Sequence, residues 1–217
     1  MAEGLIVQIG VIIGVILFSM TLHEVMHGYV AYWLGDDTAK IHGRLTFNPI
    51  KHIDPFMTIL LPVMLALVGA PIFGGAKPVP FNPDRVRYDE WGAALVAVAG
   101  PLTNLVIAFF VFGIGVLLGY NPSDFSQGNI LAMALTYGVV VNLGFFVFNM
   151  IPLPPLDGSR VLYALAPEPV RRGMEFIEQY GLIFVFVLVL FASSFIGVFM
   201  SQIINFFIEL FNKIFIV

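Results

Sequence analysis

Residues 23–27 read His23-Glu24-Val25-Met26-His27, and they follow an apolar run, Val7 to Leu22, in which Gln8 is the one strongly polar side chain. On a helix, positions i and i+4 share a face, so both histidines can direct a ring nitrogen at one zinc ion while Glu24 stands beside the water to be activated. The same string also occurs as ordinary hydrogen-bonded helix histidines. Its setting favours chemistry: an ionisable group at that depth of an apolar segment costs about 3 kcal/mol on insertion scales, so such groups are rarely idle. These residue types imply hydrolysis inside a bilayer or at its edge.

A second string, Asn149-Met150-Ile151-Pro152-Leu153-Pro154-Pro155-Leu156-Asp157-Gly158, ends a later apolar segment. Its prolines stop the helix and force extended backbone, from which Asp157 can swing inward. A catalytic zinc commonly takes three protein ligands and leaves one position open, and two histidines with one carboxylate is a frequent set. His23, His27 and Asp157 would complete it. The alternative is a plain helix-terminating Pro-Asp-Gly turn at the surface.

Composition says what must position these groups. Of 217 residues, 59% are hydrophobic and 11% charged, against about 25% charged in a soluble domain. With a mean hydropathy of +0.95, the chain reads as an integral membrane protein. It has no cysteine, which removes disulfides, thiolate catalysis and cysteine-held metal. The net charge of −4 and the absence of a basic cluster argue against a nucleic-acid partner. Met1-Ala2-Glu3-Gly4 lacks a basic region ahead of the long apolar segment, so that segment reads as a retained anchor rather than a cleaved signal.

Apolar segments fall at about 4–35, 53–73, 91–119, 131–151 and 181–217, and a span needs ~20 residues. Segment 53–73 holds Pro55 and Pro62 and runs into the Gly/Pro-rich stretch from Gly69 to Pro83. Charge decides how it is used. Lys40, Arg44 and Lys51 precede it, Lys77, Arg85 and Arg87 follow it, and Arg160, Arg171 and Arg172 follow the 131–151 span. If 53–73 crosses, these divide six against three; if it dips in and returns, all nine share one side. The positive-inside rule favours re-entry, an extracytoplasmic N-terminus, and His23 and His27 toward the cytoplasmic side of a cell membrane. Two spans then separate His27 from Asp157, returning the chain to one face. The stretch from Leu182 to Val217 is too long for one upright span and just enough for two short ones. Its second part shows a face of Ile203, Phe207, Leu210, Phe211 and Ile214 opposite Gln202, Asn205, Glu209 and Asn212. No internal repeat or separate soluble module is visible, so residues 1–217 are expected to form one membrane domain, with a core over 4–160 and accessory helices over 167–217.

The chain resembles the site-2 protease family of intramembrane zinc metalloproteases. Three motifs carry the likeness: His23 to His27; Gly100-Pro101-Leu102-Thr103-Asn104, like the family's G-P-x-x-N; and Asn149 to Gly158, like its N-x-x-P-x-P-x-L-D-G. The resemblance implies an all-α polytopic fold with a three-helix catalytic core (4–35, 91–119, 131–151). It implies one zinc ion per chain held by His23, His27 and Asp157, with Glu24 as catalyst. Asn149 would bind substrate or polarise the scissile carbonyl, and Asn104 could assist. The substrate implied is a transmembrane protein, cut within or near its membrane segment in regulated intramembrane proteolysis. Gly74 to Val79 is similar to the family's membrane-associated strand, so short strands are expected near 40–80, where an extended substrate could pair by strand addition. Many relatives carry a PDZ or CBS domain; this length leaves no room for either, so regulation is expected from a separate protein.

His42 and His52 flank a short loop but lack a third ligand at clear spacing, and read as loop histidines. Tyr32 and Trp33 read as interfacial anchors. Two other classes fit a His/Asp bundle: a metal transporter or storage protein, and a proteolytically silent scaffold. Neither requires Glu24.

Overall fold

The computed structural model describes residues 2–67, 75–122 and 129–216. Among them the chain is all-helical, and four helices are long and apolar enough to cross a membrane: Gly4–Trp33, Asp89–Leu117, Ile130–Asn149 and Leu190–Phe215. The first is the body of α1 (Ala2–Trp33), the next two are α4 (Asp89–Leu117) and α5 (Ile130–Asn149), and the last lies in α8 (Gly181–Phe215). Between them lie the short helices α2 (Thr38–Ile41), α3 (Leu61–Leu67), α6 (Gly158–Leu165) and α7 (Glu168–Gln179). This is the architecture of an all-α polytopic membrane protein.

Helices α1, α4 and α5 pack on one another as a three-helix core, with α6 laid against α4 and α8 against α5. Lipid is as apolar as a protein interior, so close packing rather than water exclusion must hold such helices together. One cluster does so between α4, α5 and α8: Ala108, Phe112, Val139, Leu143 and Phe211 are all buried. The rings of Phe109, Phe112, Phe211 and Phe215 meet at centroid distances of 4.9–6.0 Å. A second cluster, Ala31, Val86 and Val96 with Phe81 against it, joins the ends of α1 and α4 to the loop before α4.

Residues 182–216 do not divide into two short spans. Gly181–Phe215 forms one helix, which no proline interrupts. Its packed face is Ile204, Phe207, Ile208, Phe211 and Phe215, rotated from the expected stripe, so that Leu210 and Ile214 stand exposed. Hydropathy marks the polar side with Gln202, Asn205, Glu209 and Asn212 but does not fix which part of the broad apolar side packs, since lipid and protein interior are about equally apolar.

Segment 53–73 begins with a π-helical turn at Pro55–Leu60, whose N-terminus is capped by the Asp54 carboxylate, and continues as α3. The Gly75 N–H donates to Met57 O at 3.2 Å and the Thr58 hydroxyl to Gly75 O at 2.7 Å. Gly75 therefore lies beside Met57 and Thr58, near the start of the segment. The part of the re-entry expectation on residues 68–74 lies outside the described residues.

Among the described residues the strands expected near 40–80 are not formed, and no segment is a β-strand; residues 68–74 of that range lie outside the described ones. Residues 76–82 carry no regular secondary structure; Pro78 and Pro80 have no N–H, and the N–H groups of Lys77 and Val79 donate to His52 O (2.8 Å) and the Glu24 carboxylate (2.8 Å). Such a segment offers no ladder edge. Side chains hold it instead. Buried Arg44 donates to Lys77 O (2.5 Å), Pro78 O (3.2 Å) and Lys51 O.

Asp36, fully buried, ties the same segment to the end of α1: it accepts from the Thr38 hydroxyl, the Thr38 N–H (3.0 Å) and the Asn82 N–H (2.6 Å). Burial alone would push its carboxyl up, but these donors outweigh burial and hold it below the usual carboxylate range. A depressed carboxyl stabilises the fold above its unfolded value of about 3.9 and loses that contribution as pH falls through the folded value. Asp36→Ala is therefore expected to lower the thermal midpoint at neutral pH, each lost charged hydrogen bond being worth about 1.5–3 kcal/mol. The deficit against wild type should shrink below about pH 4; a deficit independent of pH would contradict the account.

Candidate metal centre

His23 and His27 project from one face of α1 at helical spacing, six residues of helix before Trp33 in the case of His27, or about 9 Å inside the helix end. Asp157 arrives from the far end of the chain. It precedes the first residue of α6, where an aspartate ordinarily caps the helix, yet its side chain makes no capping hydrogen bond. Its Oδ2 lies instead 3.2 Å from His23 Nε2 and 3.5 Å from His27 Nε2. Gly158 makes the turn possible: a Cβ there would sit 2.3 Å from Met150 O, because the chain folds back on its own backbone after the proline run.

Each imidazole is oriented from behind. His23 Nδ1 lies 2.6 Å from the Asn104 side-chain oxygen and His27 Nδ1 lies 2.7 Å from Val96 O. A backbone carbonyl, and an amide oxygen turned this way, can only accept, so both rings carry their proton on Nδ1. Both Nε2 lone pairs then face inward, as in metal sites whose histidines are fixed by outer hydrogen bonds.

The two Nε2 atoms are 3.0 Å apart. One ligand atom from each of His23, His27 and Asp157 falls within 4.8 Å of the others. Three electron-pair donors this close repel unless a proton or a cation sits among them.

Space is reserved for this arrangement. A Cβ on Gly100 of α4 would lie 2.3 Å from His27 Nε2 and 2.7 Å from His23 Cε1, so the Gly-Pro pair lets α4 approach the ring pair directly. Donor identity, tautomers and room all fit a zinc ion.

Glu24 follows His23 and is part-buried; its Oε2 accepts the Val79 N–H at 2.8 Å. Gly28, one turn on, admits Val79 and Leu45 against α1, since a Cβ there would lie 2.9 and 2.6 Å from their methyl carbons. The segment 76–82 thus lies beside the centre and fixes one oxygen of Glu24.

The structure brings His23, His27 and Asp157 together and sets Asn104 behind His23 rather than over the inward side of the cluster. Asn149, the last residue of α5, donates to Phe145 O of its own helix at 3.0 Å and is not bonded to the ligand set. His42 and His52 do not join a metal group among the described residues: His42 Nδ1 bonds to Thr38 O, and His52 Nε2 to Thr46 O. Trp33 is 82% exposed at the end of α1, and Tyr32 receives Lys40 Nζ at 3.0 Å, the placement of interfacial side chains. Sequence reading missed Ser19 and Asn142, buried polar groups beside Asn104. Their signal was present as hydrophilic side chains within spans.

The sequence matches the model of Peptidase family M50 over residues 11–130 and 120–193, which include the histidine pair, Gly100 to Asn104, and Asn149 to Gly158. It is 44% identical over 182 residues to "Putative zinc metalloprotease YwhC" of Bacillus subtilis (strain 168), covering 82% of this chain and 78% of that protein. To "Putative zinc metalloprotease Rip2" of Mycolicibacterium smegmatis it is 31% identical over 191 residues, covering 84% of this chain and 68% of that one. No solved structure matches the chain.

Proposed function

The chain belongs to peptidase family M50, the site-2 protease family of membrane zinc metalloproteases, and on that footing we propose that it hydrolyses peptide bonds within or near transmembrane segments of membrane-protein substrates. The observation that carries this reading is the convergence of two Nε2 lone pairs and one carboxylate, from opposite ends of the catalytic core, beside a glutamate. His23, His27 and Asp157 are the residues that would hold the zinc.

A zinc ion held there would supply Lewis acidity, polarising a carbonyl and lowering the pKa of a water toward neutrality. The rest is the work of the chain. Glu24, with Oε2 held by the Val79 N–H, accepts the proton of the attacking water and passes it to the departing amine nitrogen. Asn149 lies at the mouth of the proline run and can stabilise the carbonyl oxygen once its side chain leaves Phe145 O. Segment 76–82 has no free donor ladder, so a substrate strand is held by side chains and by the cluster rather than by β-addition. A substrate helix must unwind locally before attack, because its peptide groups are hydrogen-bonded and shielded; helix-breaking residues in the substrate therefore favour cleavage.

The basic residues Lys40, Arg44, Lys51, Lys77, Arg85, Arg87, Arg160, Arg171 and Arg172 support a cytoplasmic location for the end of the bundle that carries the cluster. Water then reaches the site from the cytoplasm across about 9 Å of helix. A separate regulatory protein would supply control, and residues 1–217 act as one membrane domain.

The test is zinc content per chain, by elemental mass spectrometry, in wild type, Asp157→Ala and His23→Ala. About one zinc in wild type that falls in both variants is the expected result. Metal-free wild type, or zinc untouched by Asp157→Ala, would overturn the site.

A further inference from the structure

The chain of hydrogen bonds behind His23 does not stop at Asn104. Asn104 Nδ2 donates to Asn142 Oδ1 at 2.9 Å, with Ser19 O at 3.5 Å, and Asn142 Nδ2 donates to Ser19 Oγ at 2.8 Å and to Gly138 O at 2.7 Å. Ser19, Asn104 and Asn142 come from α1, α4 and α5, and none is more than 1% exposed. Three polar side chains with no access to water, at the centre of three apolar helices, are costly unless every group is bonded. Here the bonds also carry a direction.

An asparagine side chain turned by 180° exchanges an acceptor for a donor. If Asn104 presented its NH2 to His23, Nδ1 would have to accept. The ring proton would then move to Nε2 and point at His27 and Asp157, leaving no lone pair for a metal. Asn104 is kept from turning because its Nδ2 is needed by Asn142 Oδ1. Asn142 is kept from turning because its own Nδ2 faces Gly138 O, a backbone carbonyl that can only accept. The polarity of one carbonyl in α5 is thereby passed through two amides to the nitrogen of His23 that faces the cluster.

We propose that Asn142, supported by Ser19, is a positioning residue for the metal centre: it locks the amide of Asn104 and through it holds His23 in the tautomer that presents Nε2. This rests on the zinc reading above. Outer-shell partners of this kind typically change metal affinity by about 10–100-fold when removed.

The test compares zinc affinity, by competition with a chelator, in wild type, Asn142→Leu, Asn104→Asp and the double variant, with the ring tautomer of His23 read from 15N chemical shifts in the metal-free protein at a pH that leaves the ring neutral. Asn142→Leu is expected to weaken zinc binding about 10–100-fold and to populate the Nε2–H tautomer. A carboxylate at position 104 accepts from His23 whichever way it turns, so in the Asn104→Asp background the same Asn142→Leu change should cost no more than about twofold. Equal losses in the two backgrounds would mean simple packing and would overturn the proposal, as would wild-type affinity in Asn142→Leu. Should Asn142→Leu fail to fold, the wild-type spectrum still decides: Nδ1–H supports the lock and Nε2–H overturns it. A wild type that binds no zinc would refute the metalloprotease site itself, while the tautomer measurement would judge the lock separately.

Discussion

Glu24→Gln is expected to lower the rate of peptide hydrolysis by about 10²–10⁴-fold, the range for loss of a general acid–base group, with zinc content and thermal midpoint unchanged. The substitution keeps the shape of the side chain, and the amide oxygen of glutamine can still accept the Val79 N–H that Glu24 receives at 2.8 Å. What it removes is the ability to take a proton from water and return it to the leaving nitrogen. A reconstituted assay with a transmembrane substrate, run beside elemental analysis, checks both halves. Activity near that of wild type would remove Glu24 from the mechanism. The same variant separates the protease from its two rivals, since neither metal transport nor scaffolding has any use for the carboxylate.

Gly100→Ala is expected to weaken zinc binding although Gly100 supplies no ligand atom. The new methyl would lie 2.3 Å from His27 Nε2, 2.6 Å from His27 Cε1 and 2.7 Å from His23 Cε1, distances no carbon tolerates. The rings cannot swing aside freely, because each Nδ1 is bonded, one to Asn104 and one to Val96 O. Either α4 withdraws from α1 or the Nε2 atoms lose their convergence. Overpacking of this kind costs about 1–3 kcal/mol, and if that falls on metal binding the affinity drops about 5- to 150-fold. Gly144→Ala in α5 is the control: nothing lies within 4 Å of a Cβ there, so zinc affinity should be unaffected. Equal behaviour of the two variants would show that Gly100 is not a contact surface for the histidine pair.

These two predictions lie on opposite sides of what could be read without the fold. The role of Glu24 follows from five consecutive residues, because helix geometry is local and puts His23 and His27 on one face whatever surrounds them. Asp157 was legible at one remove: the count of spans returned the proline run to the face where the histidines end. The resemblance drew attention to Gly100 and Asn104 but not to their contacts. Only the packed helices show Gly100 against the imidazoles and Asn104 turned to His23, with Asn142 and Ser19 behind it. The strands expected near 40–80 failed for a chemical reason visible afterwards, since Pro78 and Pro80 lack donors and Lys77 and Val79 spend theirs on His52 and Glu24.

The sequence by itself determined that this is a membrane protein with a histidine pair, a glutamate and a distant aspartate suited to zinc, because hydropathy, proline and i,i+4 spacing act within single segments. The tertiary structure decided how each helix is rotated about its axis, and with it the face of α8 that packs, the tautomers of the histidines and the polar relay across α1, α4 and α5. Rotation escapes the sequence because lipid and protein interior are almost equally apolar, so hydrophobicity does not mark the face that meets a neighbour. It is set by which small residues allow contact and which buried polar groups find partners.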